Sequence, residues 1–393
     1  MKVKFGLLPR LVVGIIVGIL LGLTEFLPIM RAYATFNSLF GTFLSFAIPL
    51  IVIGFLIPGI SAIGNKAGRT VGIVVGFCYF LTVSAGIIAY FAVVAFSDII
   101  VGAAADLGAY RDAAEPILVL AVPPIMPIMS ALVFSFIVGI LMTTIKSDGE
   151  STIKNIALDF QHIIKELVHK VVIPLLPVHI SGLFAQMAFQ GQIVEAMGVF
   201  FRLFVLIIVM HLLFLFLLYL IAAIIYKDNP FRLMKCMIPT YLTALGTQSS
   251  MATMPVNFEN VAKIGLDKKV AEFIVPFGAT ILLPGSTMSI VACAVVVMFM
   301  FGEAVSFAIV APFVFMLAIT MVAAPGVPGG AIMAALGALE VSLGFSEPMM
   351  AIMIALYFAQ DSFGTAVNIT SDGAVATYLN RVLGHKELKP EQG

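Results

Sequence analysis

The chain has 393 residues, 61% hydrophobic and 11% charged, with 21 basic and 21 acidic side chains that cancel. A mean hydropathy of +1.14 excludes a soluble domain, which cannot bury that much apolar surface, and points to an all-α polytopic membrane protein. The sparse Lys and Arg argue against nucleic acid as a partner. Cys78, Cys236 and Cys293 form no C-x-x-C pair, and the five histidines show no H-E-x-x-H spacing, so neither a disulfide framework, a metal centre nor a cofactor is indicated.

Lys2, Lys4 and Arg10 precede an apolar run without a small-x-small cleavage site, which reads as an uncleaved first helix. Apolar segments at 11–27, 38–60, 69–97, 116–144, 160–188 and 197–226 read as six helices within residues 1–226. Gly14, Gly18 and Gly22 make a small-residue face for close packing on another helix or, as a lesser option, on a second copy. Tyr79 and Thr82 stand one turn apart and read, by themselves, as packing groups. His179 and His211, in apolar surroundings, read as hydrogen-bonded core histidines.

The pattern then changes. Segments 233–264 and 303–343 are each broken in the middle and followed by spans at 269–301 and 348–380. A broken segment followed by a span, twice over, is expected of an internal repeat in a secondary transporter. The first break centres on Thr247-Gln-Ser-Ser-Met-Ala-Thr-Met-Pro255, a re-entrant tip or a polar kink. The second, Ala323-Ala-Pro-Gly-Val-Pro-Gly-Gly330, cannot remain a regular helix. Pro276-Phe-Gly-Ala-Thr280 and Pro284-Gly-Ser286 suggest local unwinding with carbonyls free for a small cation, or a structural kink. Glu340 and Glu347 read as solvated.

Basic residues alternate between loops. Lys2, Lys4, Arg10, Lys66, Arg69, Lys146, Lys154, Lys227, Arg232, Lys235, Arg381, Lys386 and Lys389 mark one side, whereas Asp98, Asp106, Asp112, Glu115 and Glu195 dominate the other. Both termini are therefore expected in the cytoplasm, with the two broken segments entering from opposite sides.

The last span carries the most informative stretch, Asp361-Ser-Phe-Gly-Thr-Ala-Val-Asn368-Ile-Thr-Ser-Asp372. At about 100° per residue, Asn368 and Asp372 fall within roughly 20° of Asp361, and Thr365 within roughly 40°. An Asp at mid-bilayer costs about 3 kcal/mol, so two on one face need partners: cations, a substrate amine or both. A membrane enzyme is disfavoured, because carboxylates about 16 Å apart along a helix cannot flank one bond. A passive channel is a further alternative, although it has no need of two opposed broken segments.

These elements resemble the dicarboxylate/amino acid:cation symporter family, the glutamate-transporter-like fold. The resemblance runs from Asn229-Pro-Phe231 through Ser249-Ser-Met-Ala-Thr-Met-Pro255, Pro276-Phe-Gly-Ala-Thr-Ile281 and Gly326-Val-Pro-Gly329 to Asn368 and Asp372. It implies eight transmembrane helices plus two re-entrant helical hairpins, in scaffold and transport subdomains, usually as a homotrimer in the plasma membrane. It also implies that the tips Ser249-Ser250 and Gly326-Val327-Pro328-Gly329 gate a substrate. Asp361 would grip its α-amino group, and Thr365 and Asn368 would contact it. Asp372 with carbonyls of Gly278, Leu282 and Asn368 would hold one sodium, and Thr280 with carbonyls around Val322 to Ala324 another. Tyr79 and Thr82 belong to a third cation site.

Two departures qualify this. The family's Asn-Met-Asp-Gly-Thr signature reads Leu282-Leu-Pro-Gly-Ser286, so Pro284 replaces an acidic cation ligand and puts the third site in question. The Arg that pairs with an acidic substrate's side chain is Gly364. Gln360-Asp-Ser362 with Thr365, Asn368 and Asp372 is similar to the serine/threonine:sodium symporter branch. The expectation is a sodium-coupled, elevator-like symporter for a small neutral amino acid such as serine, threonine or alanine. The alternative is an acidic amino acid or dicarboxylate symporter, with a proton as the other candidate coupling ion.

Overall fold

The small-residue face of the first helix makes the first contact of the fold. In the computed structural model, which describes residues 7–64, 69–102, 114–144, 151–191, 193–266, 268–322, 324, 326 and 328–382, α1 (Leu7–Leu23) lies against a helix at Ile173–Phe189. A methyl group on Gly14, Gly18 or Gly22 would stand 2.6, 2.1 or 2.3 Å from the carbonyl oxygens of Pro177, Ser181 and Ala185. Only glycine lets the two backbones approach that closely. Val327, and the charged residues Lys2, Lys4, Lys66, Asp106, Arg111, Asp112, Lys146, Lys386 and Lys389, lie outside the described residues.

All regular structure among the described residues is helical. After α1 come α2 (Leu27–Gly64), α3 (Arg69–Ala95), the short α4 (Ser97–Ile100), α5 (Ile128–Thr144) and α6 (Thr152–Leu167). A π turn at Val168–Val172 continues α6 into α7 (Ile173–Phe189), and α8 (Ile193–Tyr226) follows. The second half holds α9 (Pro230–Thr247), α10 (Ser250–Lys263), α11 (Lys268–Ile281), α12 (Pro284–Met300), α13 (Phe307–Met321), α14 (Gly330–Leu343) and α15 (Glu347–Val382). Among the described residues, six helical stretches are long and apolar enough to cross a membrane: Leu27–Ser61, Gly72–Ala95, Thr152–Phe189, Ile193–Tyr226, Ile274–Met300 and Glu347–Val382.

One expectation changes. The segment expected at 116–144 is helical only from Ile128. Pro116, Pro123, Pro124 and Pro127 remove amide donors and disfavour helix at the residues before them. The extended piece is tied to α2 instead: Ile117 N–H donates to Thr35 Oγ1 at 2.8 Å, and Thr42 Oγ1 donates to the Leu120 carbonyl at 3.0 Å. The span at 269–301 is interrupted at Leu282-Leu283, between α11 and α12, directly before the Pro284-Gly-Ser286 run whose composition suggests local unwinding.

The helices pack in two groups. One contains α1, α2, α5, α6 and α7; the other contains α3, α8 to α13 and α15. The helix α14 touches both, packing on α13 and α15 on one side and on α2 and α5 on the other, and the groups also meet where α7 contacts α8 and α15 and α1 contacts α15. Within the second group α12 is buried along nearly its whole length, between α3, α8 and α15. An all-round apolar helix belongs in such a place, and it becomes the wall against which α15 turns its polar face.

Candidate functional site

The polar stripe of α15 faces inward. The helix is continuous over 36 residues, and Asp361, Asn368 and Asp372 are 3%, 2% and 0% exposed. Each finds its partner on a different element. Asp361 Oδ2 accepts the Gly329 N–H at 2.7 Å, from the loop that enters α14. Asn368 Oδ1 accepts the N–H groups of Gly285 and Ser286 at 2.8 and 3.1 Å, while its Nδ2 donates to Ser286 Oγ at 2.8 Å. Asp372 Oδ2 accepts from Asn257 Nδ2, on α10, at 2.8 Å. Asp372 Oδ1 is buried with no hydrogen-bond partner among the described residues. Asp361 and Asp372 are the buried charged residues, and no Lys or Arg is buried among the residues whose burial is described.

The break between α11 and α12 follows from the same contacts. Pro284, at the first position of α12, has no N–H to give to the Thr280 carbonyl. The next two amides, which would otherwise reach Ile281 and Leu282, go to Asn368. Carbonyls at the end of α11 thereby lose those helical donors, as an unwound cation site requires. The Gly278 carbonyl retains one bond, from Leu282 N–H at 2.9 Å. Gly278 also brings its backbone onto the carboxylate: a methyl there would lie 2.1 Å from Asp372 Oδ1. An unpartnered carboxylate oxygen, a side-chain-free approach and freed carbonyls together fit a small monovalent cation.

The two broken segments meet. Gln248 adopts φ +53°, and Ser249 caps α10 by accepting the Ala252 N–H at 3.3 Å. Ser249 Oγ also donates to the Gly326 carbonyl at 2.7 Å, joining one tip to the other. Ser250 is buried at the start of α10. Across the gap, Pro328 is half-buried, and Gly329 sits at φ +72° with its Cα so close to Phe358 that a methyl would lie 2.2 Å from the ring. Gly364 and Thr365 are buried on the α15 face beside Asp361.

Other expected residues stand apart. Thr280 is exposed and its hydroxyl turns back to the Phe277 carbonyl at 2.7 Å. Val322 and Ala324 follow α13, with N–H groups bonded to Ile319 and Met321. Tyr79 OH donates to the Phe315 carbonyl of α13 at 3.4 Å, joining two helices, and Thr82 Oγ1 donates to the Cys78 carbonyl within α3 at 2.8 Å.

Several site residues escape the motif reading. Asn257 belongs to a buried face of Ser250, Thr253, Asn257 and Asn260 on α10. Their helical spacing is a signal the sequence does contain. Tyr357 OH donates to Ser286 Oγ at 3.0 Å. His211, on α8, supports the start of α12: its Nε2 lies 3.0 Å from the Gly285 carbonyl and 3.3 Å from Ser289 Oγ. A carbonyl can only accept, so Nε2 carries the proton.

A family model, the sodium:dicarboxylate symporter family, matches residues 7–382. The chain belongs to this family. Its relatives include the serine/threonine transporter SstT of Bifidobacterium adolescentis, 26% identical over 385 residues, covering 93% of this chain and 87% of that one. The serine/threonine transporter SstT of Acinetobacter baumannii is 26% identical over 228 residues, 57% of each chain. An excitatory amino acid transporter of Caenorhabditis elegans is 28% identical over 147 residues, 37% of this chain and 29% of that protein. As a member of the sodium:dicarboxylate symporter family with six apolar membrane-length stretches, the chain is a multi-pass membrane transporter.

Proposed function

We propose that the protein is a secondary active symporter that couples inward sodium flux to uptake of a small neutral amino acid of the serine, threonine or alanine type. The observation that carries this is the charge of the site. Asp361 is buried, no Lys or Arg is buried among the residues whose burial is described, and Gly364 stands beside it. An ammonium group matches Asp361, but a second carboxylate on the substrate would enter the interior without a partner. The likeness to serine/threonine transporters over most of the chain supports the same reading.

Asp361, Thr365 and Asn368 form the substrate-facing stripe, with the tips at Ser249-Ser250 and Gly326 to Gly329 as re-entrant gates. Asp372, with carbonyls of Gly278, Leu282 and Asn368, is the first sodium site. Thr280 with Val322 and Ala324 is the second, whereas Pro284 and the bonds of Tyr79 and Thr82 to protein carbonyls leave the third site in question. The concentration of helix packing within two groups, with α14 and limited contacts of α1 and α7 between them, supports an elevator-like movement of one past the other. The homotrimer and the plasma membrane rest on the family resemblance, and the cytoplasmic termini on the alternation of basic loops.

The second reading is a symporter for an acidic amino acid or dicarboxylate, favoured by the partial likeness to an excitatory amino acid transporter. Proteoliposomes loaded with a labelled amino acid panel, under imposed sodium or pH gradients, decide between them. Serine and alanine uptake driven by sodium is expected. Aspartate or succinate uptake that serine does not inhibit would refute the proposal. Gly364→Arg is expected to abolish neutral uptake at least tenfold, since even a methyl there lies 3.3 Å from Ser286 N.

A further inference from the structure

The helices α8 and α9 leave a cleft between them, floored by α15, that the transport reading does not use. Its volume is about 400 Å³, within the size range of small-molecule sites. The walls are apolar, with Phe231 and Ile238 exposed along α9 and Tyr219 and Met237 fully buried behind them. Lys235, Tyr241 and, on the floor, Thr370 also line it. Thr370 Oγ1 is buried with no hydrogen-bond partner among the described residues. The side chains of Lys235 and Tyr241 likewise make no hydrogen bond or ion pair among them. All three can donate, and no Asp or Glu lines the cleft. In the stretch 227–235 the basic residues Lys227, Arg232 and Lys235 outnumber the acid Asp228, which is itself bonded to Arg232 at 2.9 Å.

We propose that this cleft binds an anionic glycerophospholipid, with its phosphate at Lys235, its ester oxygens towards Tyr241 and Thr370, and an acyl chain along the α8–α9 walls. A lipid chain is as apolar as a leucine side chain, so the walls alone give no preference for one lipid over another. The preference comes from the head. Unpartnered donors and a basic rim select a phosphate whose charge no ammonium of its own compensates. Inorganic phosphate would leave the apolar walls unmatched. The dimensions agree with a single leaflet: Phe231 to Tyr241 is about 15 Å along α9, half of the roughly 30 Å hydrocarbon core. The inner wall leads to the candidate cation site. Tyr219 OH donates to the Thr370 carbonyl at 2.6 Å, and a methyl on Gly373 would stand 2.5 Å from that hydroxyl and 3.1 Å from Met237 Sδ. A chain lying on Tyr219 and Met237 therefore backs the turn of α15 that carries Asp372.

The test titrates the full-length protein in detergent with dioleoyl phosphatidylglycerol, dioleoyl phosphatidylcholine or oleate, and counts bound lipid by native mass spectrometry. Phosphatidylglycerol should bind about fivefold more tightly than phosphatidylcholine; Lys235→Gln should erase most of that preference and Lys235→Arg should keep it. The cleft-filling Ile238→Trp should weaken phosphatidylglycerol binding several-fold. Equal affinity for the two phospholipids, or a preference that survives Lys235→Gln, overturns the proposal. Oleate that displaces phosphatidylglycerol at equal concentration overturns it in favour of a free fatty acid. If Ile238→Trp does not fold, Lys235→Gln still decides, because the lysine is exposed and has no partner to lose. One further readout rests on the sodium reading: in proteoliposomes, phosphatidylglycerol should lower the half-saturating sodium for serine uptake in wild type and not in Lys235→Gln. Uptake indifferent to sodium, with the lipid preference intact, overturns the sodium reading and leaves the lipid site standing.

Discussion

Gly278→Ala is a small change at the most crowded point of the site. Nonbonded heavy atoms normally lie about 3.5 Å apart, whereas the new methyl would sit 2.1 Å from Asp372 Oδ1 and 2.7 Å from its Cγ. The carboxylate has no easy escape, being 0% exposed and held by Asn257 through its other oxygen. Overpacking of this kind costs about 1–3 kcal/mol. Alanine in place of a helical glycine returns about 1 kcal/mol, so the melting temperature should fall slightly or stay level. The larger effect is expected on the cation. Disturbing the support of a ligating carboxylate lowers metal affinity about 10- to 100-fold, which should raise the half-saturating sodium concentration by the same factor. Labelled serine uptake, titrated with sodium in proteoliposomes, reads this directly, with a thermal melt in detergent alongside. A raised melting temperature with unchanged half-saturating sodium would refute the packing of Gly278 on Asp372 and its place in the cation site.

Asp372→Asn removes a buried charge while keeping a partner for Asn257; sodium gradients should no longer accelerate uptake, and the melting temperature should hold or rise because an unpaired carboxylate oxygen is gone. Retained sodium dependence would remove Asp372 from the coupling. Ser249→Ala deletes both the cap on Ala252 and the bond to Gly326, about 1–2 kcal/mol of tip closure, and should raise substrate KM several-fold in an uptake assay. Gly18→Leu drives a side chain into the Ser181 carbonyl; it should destabilise the protein by about 1–3 kcal/mol in thermal melts without altering the ratio of serine to alanine uptake.

The sequence exposes this fold unevenly, for physical reasons. Glycines four residues apart announce close helix contact, and α1 does lie on α7 along Gly14, Gly18 and Gly22. The break at Gln248-Ser249 and that before Gly330 are visible because proline, glycine and short hydroxyl residues disfavour helix locally. The late start of α5 is hidden because residues 117–122 are apolar enough for a span, and hydropathy outweighs the prolines around them. Within the site, the α15 stripe is legible since helical period alone aligns it. Its partners are harder to see. Asn257 and Tyr357 meet Asp372 and Ser286 across more than 70 residues of chain, a distance at which periodicity says nothing. Pro284 shows the difference most clearly. As a sequence it reads as the loss of an acidic ligand, whereas in the fold it begins α12 and helps to free the carbonyls of α11.

The two buried carboxylates of α15 also have an electrical consequence. A charge crossing the full membrane potential exchanges about 2.3 kcal/mol per 100 mV. With both groups ionised, the unloaded face is doubly negative, and an inside-negative potential of 100 mV favours its outward position by about 4.6 kcal/mol. A zwitterion adds no net charge, so two monovalent cations would make the loaded face neutral. In a carrier of this kind the membrane voltage would act chiefly on the return of the empty protein. The cell's potential would then reset the machine for its next load.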